Sequence, residues 1–288
     1  MSYNLSFDER YDLRVQMTTR ARKAVVLARG LGTRMRQSDG TARLDPAQQA
    51  AAATGLKAMI SFGRPFLDYA LSALADAGLE EVCLVIGPEH GEVLKYYTET
   101  APPRRVRLAF AIQEKPRGTA DAVLAAEEFV AGEDFLVINS DNYYPVSALA
   151  ELAGLSEPGV VLFERDALIA ASNIPAERIA SFAVCIIGAD GYLETILEKP
   201  DEKTLADLGP DPPVSMNCWR FSDGIFAACR RVPLSSRGEL ELPMAVREAI
   251  AAGMRLRVVR CREGVLDLSR RADIAAIAER LRGVSADP

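Results

Sequence analysis

The stretch "AVVLARGLGTRMRQ", residues 24–37, joins a run of five apolar residues to a turn that contains Gly30 and Gly32. The apolar run shows no polar alternation, which is typical of a strand in a parallel sheet that is covered on both faces. A glycine-containing turn after such a strand exposes backbone N–H groups, which often hold phosphate. The stretch therefore predicts a strand followed by an anion-binding turn, although a tight turn alone would also explain the two glycines.

The turn lacks the residues that complete two common phosphate-binding loops. A dinucleotide-binding fingerprint has a third glycine where Met35 stands, and a P-loop ends in Gly-Lys followed by Ser or Thr. What remains is Gly-x-Gly-Thr-Arg, in which the guanidinium of Arg34 suits phosphate oxygens and keeps its charge at any working pH. This arrangement favours a triphosphate that lies along the loop.

Outward from this turn, segments of strand and helix character alternate as far as about residue 150. Strands are predicted over residues 81–87, 106–112 and 134–139, with helices from Pro65 and over about 119–131. Short links between such segments specify a largely parallel sheet with helices on both faces. Residues 36–54 predict a long loop with a short helix after Asp45, which either closes as a lid or decorates the surface.

The second half of the chain has a mixed pattern. Asp190–Gly191 lies between two strand-like runs and predicts a hairpin, and a strand through Phe221 precedes further helices and a last strand. We therefore predict an α/β fold, a three-layer doubly wound domain with a mostly parallel central sheet and a mixed α+β portion. The predicted organisation is one domain over 1–288, with a nucleotide-binding half (23–150), a second-ligand half (151–288) and an N-terminal arm (1–22). A solvated terminus is favoured for this arm, and an added contact with a partner subunit is the alternative.

Composition excludes several classes of protein. The 34 Lys and Arg residues against 40 Asp and Glu give a net charge of −6 without a long basic run, so nucleic acid is not an expected partner. No run of 18 apolar residues occurs and the N-terminus has no apolar h-region, which indicates a cytoplasmic protein without a membrane segment. Five scattered cysteines without a CxxC pair predict buried reduced thiols and not a zinc site.

Polar residues recur where the predicted strands end. Gln113 ends one strand, and its amide can pair with donor and acceptor edges of a nucleobase. Asp141 follows a core strand, where a carboxylate is either solvated or bound to a cation. Because the carboxyl ends of parallel strands line one crevice, Arg34, Gln113 and Asp141 are expected to face a single site, with Lys57 nearby.

Eight segments between about Lys23 and Leu281 follow one another in a recognisable order. They are "LARGLGTRM", "LKAMI", "GTADAV", "NSDNYY", "ILEKP", "SMNCWRF", "RGELELP" and "LDLSRRADI". In this order they resemble the sugar-1-phosphate nucleotidylyltransferases, the family of glucose-1-phosphate thymidylyl- and uridylyltransferases and ADP-glucose pyrophosphorylase. The resemblance implies the Rossmann-like nucleotide-diphospho-sugar transferase fold, in which the second half binds the sugar phosphate.

It also implies a reaction and a set of site residues. A nucleotidyl group would pass from a nucleoside triphosphate, with UTP or dTTP favoured, to a sugar 1-phosphate, giving the nucleotide sugar and pyrophosphate. Asp141 and Asp267 would hold Mg²⁺, and charge would be neutralised by Arg34, Lys57 and Lys199. The implied nucleotide-binding residues are Leu27, Ala28, Gly30, Gly32, Thr33, Arg34, Gln113, Gly118 and Thr119. The implied sugar-phosphate residues are Asn142, Glu198, Lys199, Ser215 and Asn217.

The chain departs from the family pattern at several positions. Arg29 stands where alanine is usual, and the segment between Arg34 and Lys57 is longer than usual. Asn217 replaces a common glycine and Trp219 a common tyrosine, which predicts a bulkier wall on the sugar side and an unusual sugar or cyclitol phosphate as acceptor. Trp219 itself is expected to be a wall or core residue rather than a stacking platform. Val265, two residues before Asp267, replaces a frequent tryptophan.

Other functions stay open at this level. A non-sugar acceptor such as phosphocholine is compatible with the same residues, as is a non-catalytic sugar-nucleotide-binding regulatory protein. A nicotinamide-dependent oxidoreductase is disfavoured, because the third glycine is absent and the strand after the first helix ends at Gly87 without an acidic residue. The sequence does not decide between UTP and dTTP, or between a monomer and a homo-oligomer.

Overall fold

The computed structural model describes residues 20–37, 39, 42, 44–180, 182–198, 208 and 211–288. The strands are β1 (Lys23–Leu27), β2 (Glu81–Ile86), β3 (Arg107–Ile112), β4 (Phe135–Asn139), β5 (Asn142–Tyr143), β6 (Gly159–Phe163), β7 (Val184–Ile187), β8 (Leu193–Leu197), β9 (Val214–Phe221), β10 (Arg257–Cys261) and β11 (Leu266–Asp267).

The α-helices are α1 (Thr33–Arg36), α2 (Pro46–Thr54), α3 (Phe66–Asp76), α4 (Gly91–Lys95), α5 (Thr119–Ala125), α6 (Glu127–Val130), α7 (Val146–Gly154), α8 (Arg165–Ala171), α9 (Ala176–Ile179), α10 (Gly224–Arg231), α11 (Leu242–Ala251) and α12 (Asp273–Arg280). A 3₁₀ turn spans Lys57–Met59, and a π-helical turn, Tyr96–Thr100, continues α4.

The main sheet has β1 near its centre. Its strand order is β10-β6-β9-β4-β1-β2-β3, and β1 is parallel to both neighbours, with Val25 opposite Cys83 and Val137. All five residues of β1 are buried. A strand covered on both faces needs apolar side chains on both faces, which explains the uninterrupted apolar run.

Two apolar clusters cover the faces of this sheet. One joins Leu84 of β2 to Leu71 of α3 and Leu149 of α7. The other joins Val25 of β1 to Val246 of α11 and to residues of α5 and α10. The chain is therefore built from a sheet between two helical layers, and the predicted three-layer α/β fold is confirmed.

The second half of the chain adds antiparallel strands to the same sheet. β9 is antiparallel to β4 on one side and to β6 on the other, and β10 is parallel to β6. β7 and β8 form the predicted hairpin, with Gly191 at φ 80° in its turn. The predicted mixed α+β portion is present, and the sheet continues through it.

Several predicted elements differ in detail. The helix predicted over 119–131 is two helices, because Ala126 leaves the helical conformation at φ −94°, ψ 3°. Pro65 is the N-cap of α3 and not a residue of its first turn. Helix α2 begins after Asp45 as predicted, and Asp45 forms a capping box with Gln48.

Helix α2 is part of a third apolar cluster. Ala52 of α2 is fully buried with Met35 of α1, Ile60 and Ile277 of α12. Arg36 Nε also donates to Thr54 O at 3.0 Å. Helix α2 thus adds one buried residue to this cluster while most of its other residues are exposed, and both alternatives for the segment, a lid or a surface decoration, stay predictions.

At the N-terminus, the predicted arm lies outside the described residues as far as residue 19. From there Ala21 is buried and its N–H donates to Ala153 O at 2.8 Å. All five cysteines are buried and unpaired, as predicted. Among the described helices, none has the length and apolar character needed to cross a membrane.

Candidate active site

The candidate site lies where β1 and β4 end. Leu27 closes β1, and its carbonyl accepts a hydrogen bond from Ser140 N at 3.1 Å, one residue before Asp141. Ala28 N donates to Val85 O at 2.9 Å, so Ala28 is still tied to β2. The chain leaves the sheet at Arg29. Strand pairing thus places the glycine turn beside the segment that carries Asp141.

The two glycines of the turn meet different surroundings. Gly32 has φ 59°, and a methyl group there would collide with the backbone of Gly55. Gly30 has nothing within 4 Å of the position of a Cβ and faces open space. Gly32 is therefore required for packing, whereas Gly30 leaves the backbone accessible. Thr33 and Arg34 follow in α1, and both are exposed.

A two-stranded ladder brings the two predicted metal-binding carboxylates together. β5 and β11 are antiparallel, with Asp267 opposite Asn142. Leu268 N donates to Asp141 O at 2.8 Å. Asp141 and Asp267 are thus neighbours, although more than a hundred residues of chain separate them.

Asp267 is held on several sides. Asn173 brackets its backbone, with Nδ2 donating to Asp267 O at 2.9 Å and Asp267 N donating to Oδ1 at 2.8 Å. Ser269 Oγ donates to Asp267 Oδ1 at 2.6 Å, and Arg178 Nη2 lies 3.1 Å from the same oxygen. Burial raises the pKa of Asp267 to about 6; the Asp141 carboxylate adds to the rise, and Arg178 and Ser269 oppose it.

Lys57 is the cationic neighbour of Asp141. Its Nζ lies 2.7 Å from Asp141 Oδ2. Burial acts to lower the pKa of Lys57, but the Asp141 carboxylate outweighs burial and the pKa is raised; Asp267 also raises it and Arg34 lowers it. Lys57 is therefore a protonated cation in the field of all three predicted site residues, Arg34, Asp141 and Asp267.

The donor set fits a magnesium ion better than a metal with a full protein cage. No cluster of three or more His, Cys, Asp or Glu side chains arranged for a metal occurs in the part of the chain that the structure describes. Mg²⁺ is commonly held by one or two carboxylates and completes its coordination with water and substrate phosphates. Asp141 and Asp267 supply such a pair of oxygen ligands.

The predicted base-binding residues lie at the end of β3. Gln113 is buried, and its Nε2 donates to Gly118 O at 3.0 Å and to Asp121 Oδ2 at 2.8 Å. Since both partners are acceptors, the amide orientation is fixed and both N–H donors are used. The Gln113 group that can serve a ligand is therefore its carbonyl oxygen, Oε1.

Gly118 and Thr119 have structural partners in the segment before α11. Gly118 has φ 116°, and a methyl group there would lie 2.5 Å from Leu240 O, so this glycine is required by the packing of Leu240. Leu242 N donates to Thr119 Oγ1 at 2.8 Å, which satisfies an N–H at the start of α11. The nucleotide-binding role implied for Gly118 therefore has a competing explanation in packing.

On the predicted sugar side, β9 carries Ser215 and Asn217 at a bulge in its pairing with β6. Asn217 has φ 57°, a left-handed conformation that asparagine tolerates better than most residues, which accounts for its place at a position where glycine is common. Asn217 N donates to Ser215 Oγ at 3.2 Å. The bulge therefore sets the direction of both side chains.

Trp219 is a core residue, which confirms the expectation of wall or core over a stacking platform, but the predicted bulkier wall on the sugar side is wrong for this residue. Its side chain is fully buried in the cluster that covers one sheet face, stacked on Phe221 with 5.7 Å between ring centroids. The pairing of β9 explains the error, because Trp219 lies opposite Val137 in the middle of β4 and not at the strand ends, where the site lies. Trp219 therefore gives no reason to expect an unusual acceptor.

Glu198 ends the described part of its segment, and Lys199 lies outside the described residues. Glu198 hydrogen-bonds the side chain of Glu241 and lies in the field of Arg237. Burial acts to raise the pKa of Glu241, but hydrogen bonds with Ser235 and Arg237 outweigh it and the pKa is lowered. Glu198 thus belongs to a charged cluster that includes the start of α11.

Asn142 lies beside the two carboxylates and is buried. Its Oδ1 accepts from Tyr144 OH and Asn139 Nδ2, each at 3.4 Å. Its Nδ2 has no hydrogen-bond acceptor among the residues described. A buried unpaired donor costs free energy, so Asn142 has a donor to offer a ligand, in line with its predicted role.

Sequence reasoning missed the residues that hold the predicted ones in place. Asn173 and Arg178 come from a segment without a recognisable pattern, and no sequence signal would have linked them to Asp267. Arg237 and Glu241 lie in "RGELELP", a segment that the resemblance had singled out, so its charged residues were a usable signal.

Known proteins are similar to this chain in sequence over most of its length. A sequence model of the family described as "Nucleotidyl transferase" matches residues 23–264. The chain is 28% identical over 269 residues to UTP–glucose-1-phosphate uridylyltransferase AglF of Haloferax volcanii, covering 90% of this chain and 96% of that protein. It is 30% identical over 236 residues to a glucose-1-phosphate thymidylyltransferase of Streptomyces antibioticus, covering 80% of this chain but only 58% of that protein.

A solved structure shares the fold. UDP-glucose pyrophosphorylase complexed with UDP-glucose superposes with a TM-score of 0.70 at 18% identity, covering 92% of this chain and all of that chain. Likeness at this identity concerns the arrangement of the elements and not the chemistry of the site.

Proposed function

This chain belongs to the nucleotidyl transferase family, and we propose that it transfers a nucleotidyl group from UTP or dTTP to a sugar 1-phosphate, releasing pyrophosphate. The observation that carries the proposal is the convergence of Asp141, Asp267 and Lys57 beside the glycine turn. The two similar transferases named above act, by their names, on glucose 1-phosphate, which supports a sugar phosphate as acceptor.

In the proposed reaction, a phosphate oxygen of the sugar phosphate attacks the α-phosphorus of the nucleotide. A new P–O bond forms, the bond from the α-phosphorus to the β-phosphate bridging oxygen breaks, and pyrophosphate leaves with that electron pair. No covalent intermediate with the protein is needed. The protein contributes by positioning both phosphates and by stabilising the charge that develops on their oxygens.

We assign the binding of the triphosphate to Arg34 and the backbone of the turn at Gly30. Lys57, a protonated cation next to Asp141, is assigned to the phosphate oxygens that gain charge, together with Lys199. Asp141 and Asp267 would hold Mg²⁺, which when bound supplies further positive charge at the reacting phosphates. The expected division is a nucleotide half at 23–150 and a sugar-phosphate half at 151–288.

In this arrangement the sugar is bound by Glu198, Ser215 and Asn217, with Asn142 offering its unpaired Nδ2. All four carry hydrogen-bonding groups of the kind that suit sugar hydroxyls. The same groups would serve a cyclitol phosphate or phosphocholine, which stays the second candidate class of acceptor.

The proposal is tested by following pyrophosphate release with UTP or dTTP, Mg²⁺ and a panel of sugar 1-phosphates. Asp141→Asn keeps the size of the side chain and removes a carboxylate, so turnover should fall by about 100-fold or more while the fold is kept. Arg262→Met, at an exposed ion pair with Glu164, is the control and should keep its turnover. Full Mg²⁺-dependent activity in Asp141→Asn would refute the metal assignment. Nucleotide binding without release for any acceptor would favour a regulatory binding protein.

A further inference from the structure

Arg29 stands directly before Gly30, at the start of the glycine turn. Its side chain leaves the glycine turn and lies on the end of β2, with Nε and Nη2 at 3.3 and 3.2 Å from the carboxylate oxygens of Glu89. A methyl group on Gly87 would lie 2.5 Å from Arg29 Nε, so only glycine at that position leaves room for the guanidinium. The side chain is 6% exposed.

One nitrogen of the Arg29 guanidinium has no hydrogen-bond partner among the described residues. Nη1 of Arg29 is buried and has no hydrogen-bond acceptor within the described part of the chain. Glu89, which is half exposed, satisfies only the other end. Burying a charged group costs free energy unless its N–H groups are paired, so an unused donor of this kind is suited to an acceptor atom on a ligand.

The sheet places Arg29 on one side of the site. Gln113 N donates to Ile86 O at 2.9 Å, and Ile86 immediately precedes Gly87, on which the guanidinium lies. The guanidinium is therefore between the glycine turn and Gln113, at the end of β2. Lys57 and Asp141 lie on the other side of the turn, beyond the end of β1 towards β4. The Arg29 guanidinium therefore lies on the β3 side of the glycine turn, the side of Gln113, and away from the pair of carboxylates.

Resting on the proposed function, we propose that Arg29 determines nucleotide specificity by donating from Nη1 to a keto oxygen of a uracil or thymine base. Gln113 can offer only Oε1, because Gly118 and Asp121 use both of its N–H donors. A keto oxygen next to a ring N–H presents one acceptor for Arg29 and one donor for Gln113. In cytosine the ring N3 carries no hydrogen and an amino group replaces O4. A cytosine in the same position therefore has no keto oxygen beside a ring N–H, and it cannot satisfy Arg29 and Gln113 together.

The test measures dissociation constants of UTP, CTP and inorganic pyrophosphate by calorimetry in wild type, Arg29→Met and Arg29→Lys. Wild type should prefer UTP over CTP, and Arg29→Met should lower that preference about tenfold or more, since a hydrogen bond from a charged donor is removed. Arg29→Lys keeps the charge without the planar fork and should recover only part of the preference. The affinity for pyrophosphate should not change in either variant.

Arg36→Met is the matched control. It removes one positive charge from the same segment, and its Nε is occupied by Thr54 O. This substitution should change the dissociation constants of UTP and CTP by the same factor. Two ligand analogues extend the test, namely UTP with sulfur in place of O2 and UTP with sulfur in place of O4. Sulfur is a weak acceptor, so Arg29→Met should lower the affinity for at least one of these analogues less than it lowers the affinity for UTP.

If Arg29→Met loses affinity for UTP, CTP and pyrophosphate by the same factor, the inference is overturned and Arg29 is a phosphate ligand. Unchanged binding of UTP and CTP in a folded Arg29→Met or Arg29→Lys variant would overturn it as well. Either result leaves the proposed function intact. Failure of wild type to bind any nucleoside triphosphate would instead overturn the proposed function, and the inference with it.

Discussion

At the scale of single residues, the site depends on side chains that hold the predicted ligands in place. Arg178 of α9 contacts both Asp267 and Asp273, and all three side chains are at most 12% exposed. Asp273 also accepts hydrogen bonds from the backbone N–H groups of Ser269 and Arg270. One arginine therefore compensates two buried carboxylates and fixes the end of β11.

Arg178→Met should destabilise the protein by about 3 kcal/mol, because two buried carboxylates lose their cationic partner. Burial raises the pKa of Asp267 to about 6, so Asp267 is charged well above that pH and mostly protonated well below it. The decrease in the free energy of unfolding caused by Arg178→Met should therefore be larger at pH 8 than at pH 5. Urea unfolding at the two pH values measures it.

The control for this variant is Arg262→Met, which breaks an ion pair with Glu164 in which Arg262 is 81% exposed. Exposed pairs contribute little, so this change should cost less than about 1 kcal/mol. Equal costs for the two variants would show that Arg178 has no special role in compensating buried charge.

At the scale of elements, the glycine turn shows how one short segment combines packing with binding. Gly32 is the N-cap of α1 in a left-handed conformation and packs on Gly55, the left-handed C-cap of α2. Gly30, two residues earlier, faces open space. The longer segment between Arg34 and Lys57 thus returns to the turn through α2 and supports it.

Gly32→Ala should destabilise the protein by more than about 1 kcal/mol, because alanine resists φ 59° and its methyl group would collide with Gly55. Gly30→Ala is the matched change in the same turn, and its effect on stability should stay within about 0.5 kcal/mol. Thermal and urea unfolding of both variants compare them. A Gly32→Ala variant as stable as Gly30→Ala would mean that the turn adjusts freely.

At the scale of the whole molecule, the candidate site is assembled from segments that the sheet brings together. β1 supplies the turn, β3 supplies Gln113, and the β5–β11 ladder supplies the carboxylates. The C-terminal part of the chain thereby completes a site that begins at its N-terminal strand. A ligand that contacts all of them should stabilise the fold as a whole.

UTP with Mg²⁺ at 100 times its dissociation constant should add about 2.7 kcal/mol to the free energy of unfolding. The transition should move upward as one step, which thermal unfolding followed by fluorescence measures. Asp141→Asn with the same ligands should show a smaller shift that no longer depends on Mg²⁺. A shift equal to that of wild type in this variant would separate nucleotide binding from the carboxylate pair.

Much of the fold followed from local patterns. The apolar run of β1, the alternation with helices and the Asp190–Gly191 hairpin were predicted because side-chain period and turn chemistry act over a few residues. The interruption of the helix at Ala126 was not predicted, since no proline or glycine marks it. The bulkier wall expected from Trp219 was wrong, because its depth in the sheet depends on how β9 pairs with β4.

The sequence alone determined the kinds of segment and the chemical groups at their ends: a buried strand, a glycine turn, and acids, amides and cations where strands stop. Only the tertiary structure decided which of these groups meet. Asp141 and Asp267 are neighbours because β5 pairs with β11, Arg178 reaches both carboxylates because α9 packs there, and Arg29 lies on Gly87 because β1 is next to β2. The physical reason is that local patterns set the conformation of each segment, whereas contacts between distant segments depend on how strands pair and layers pack.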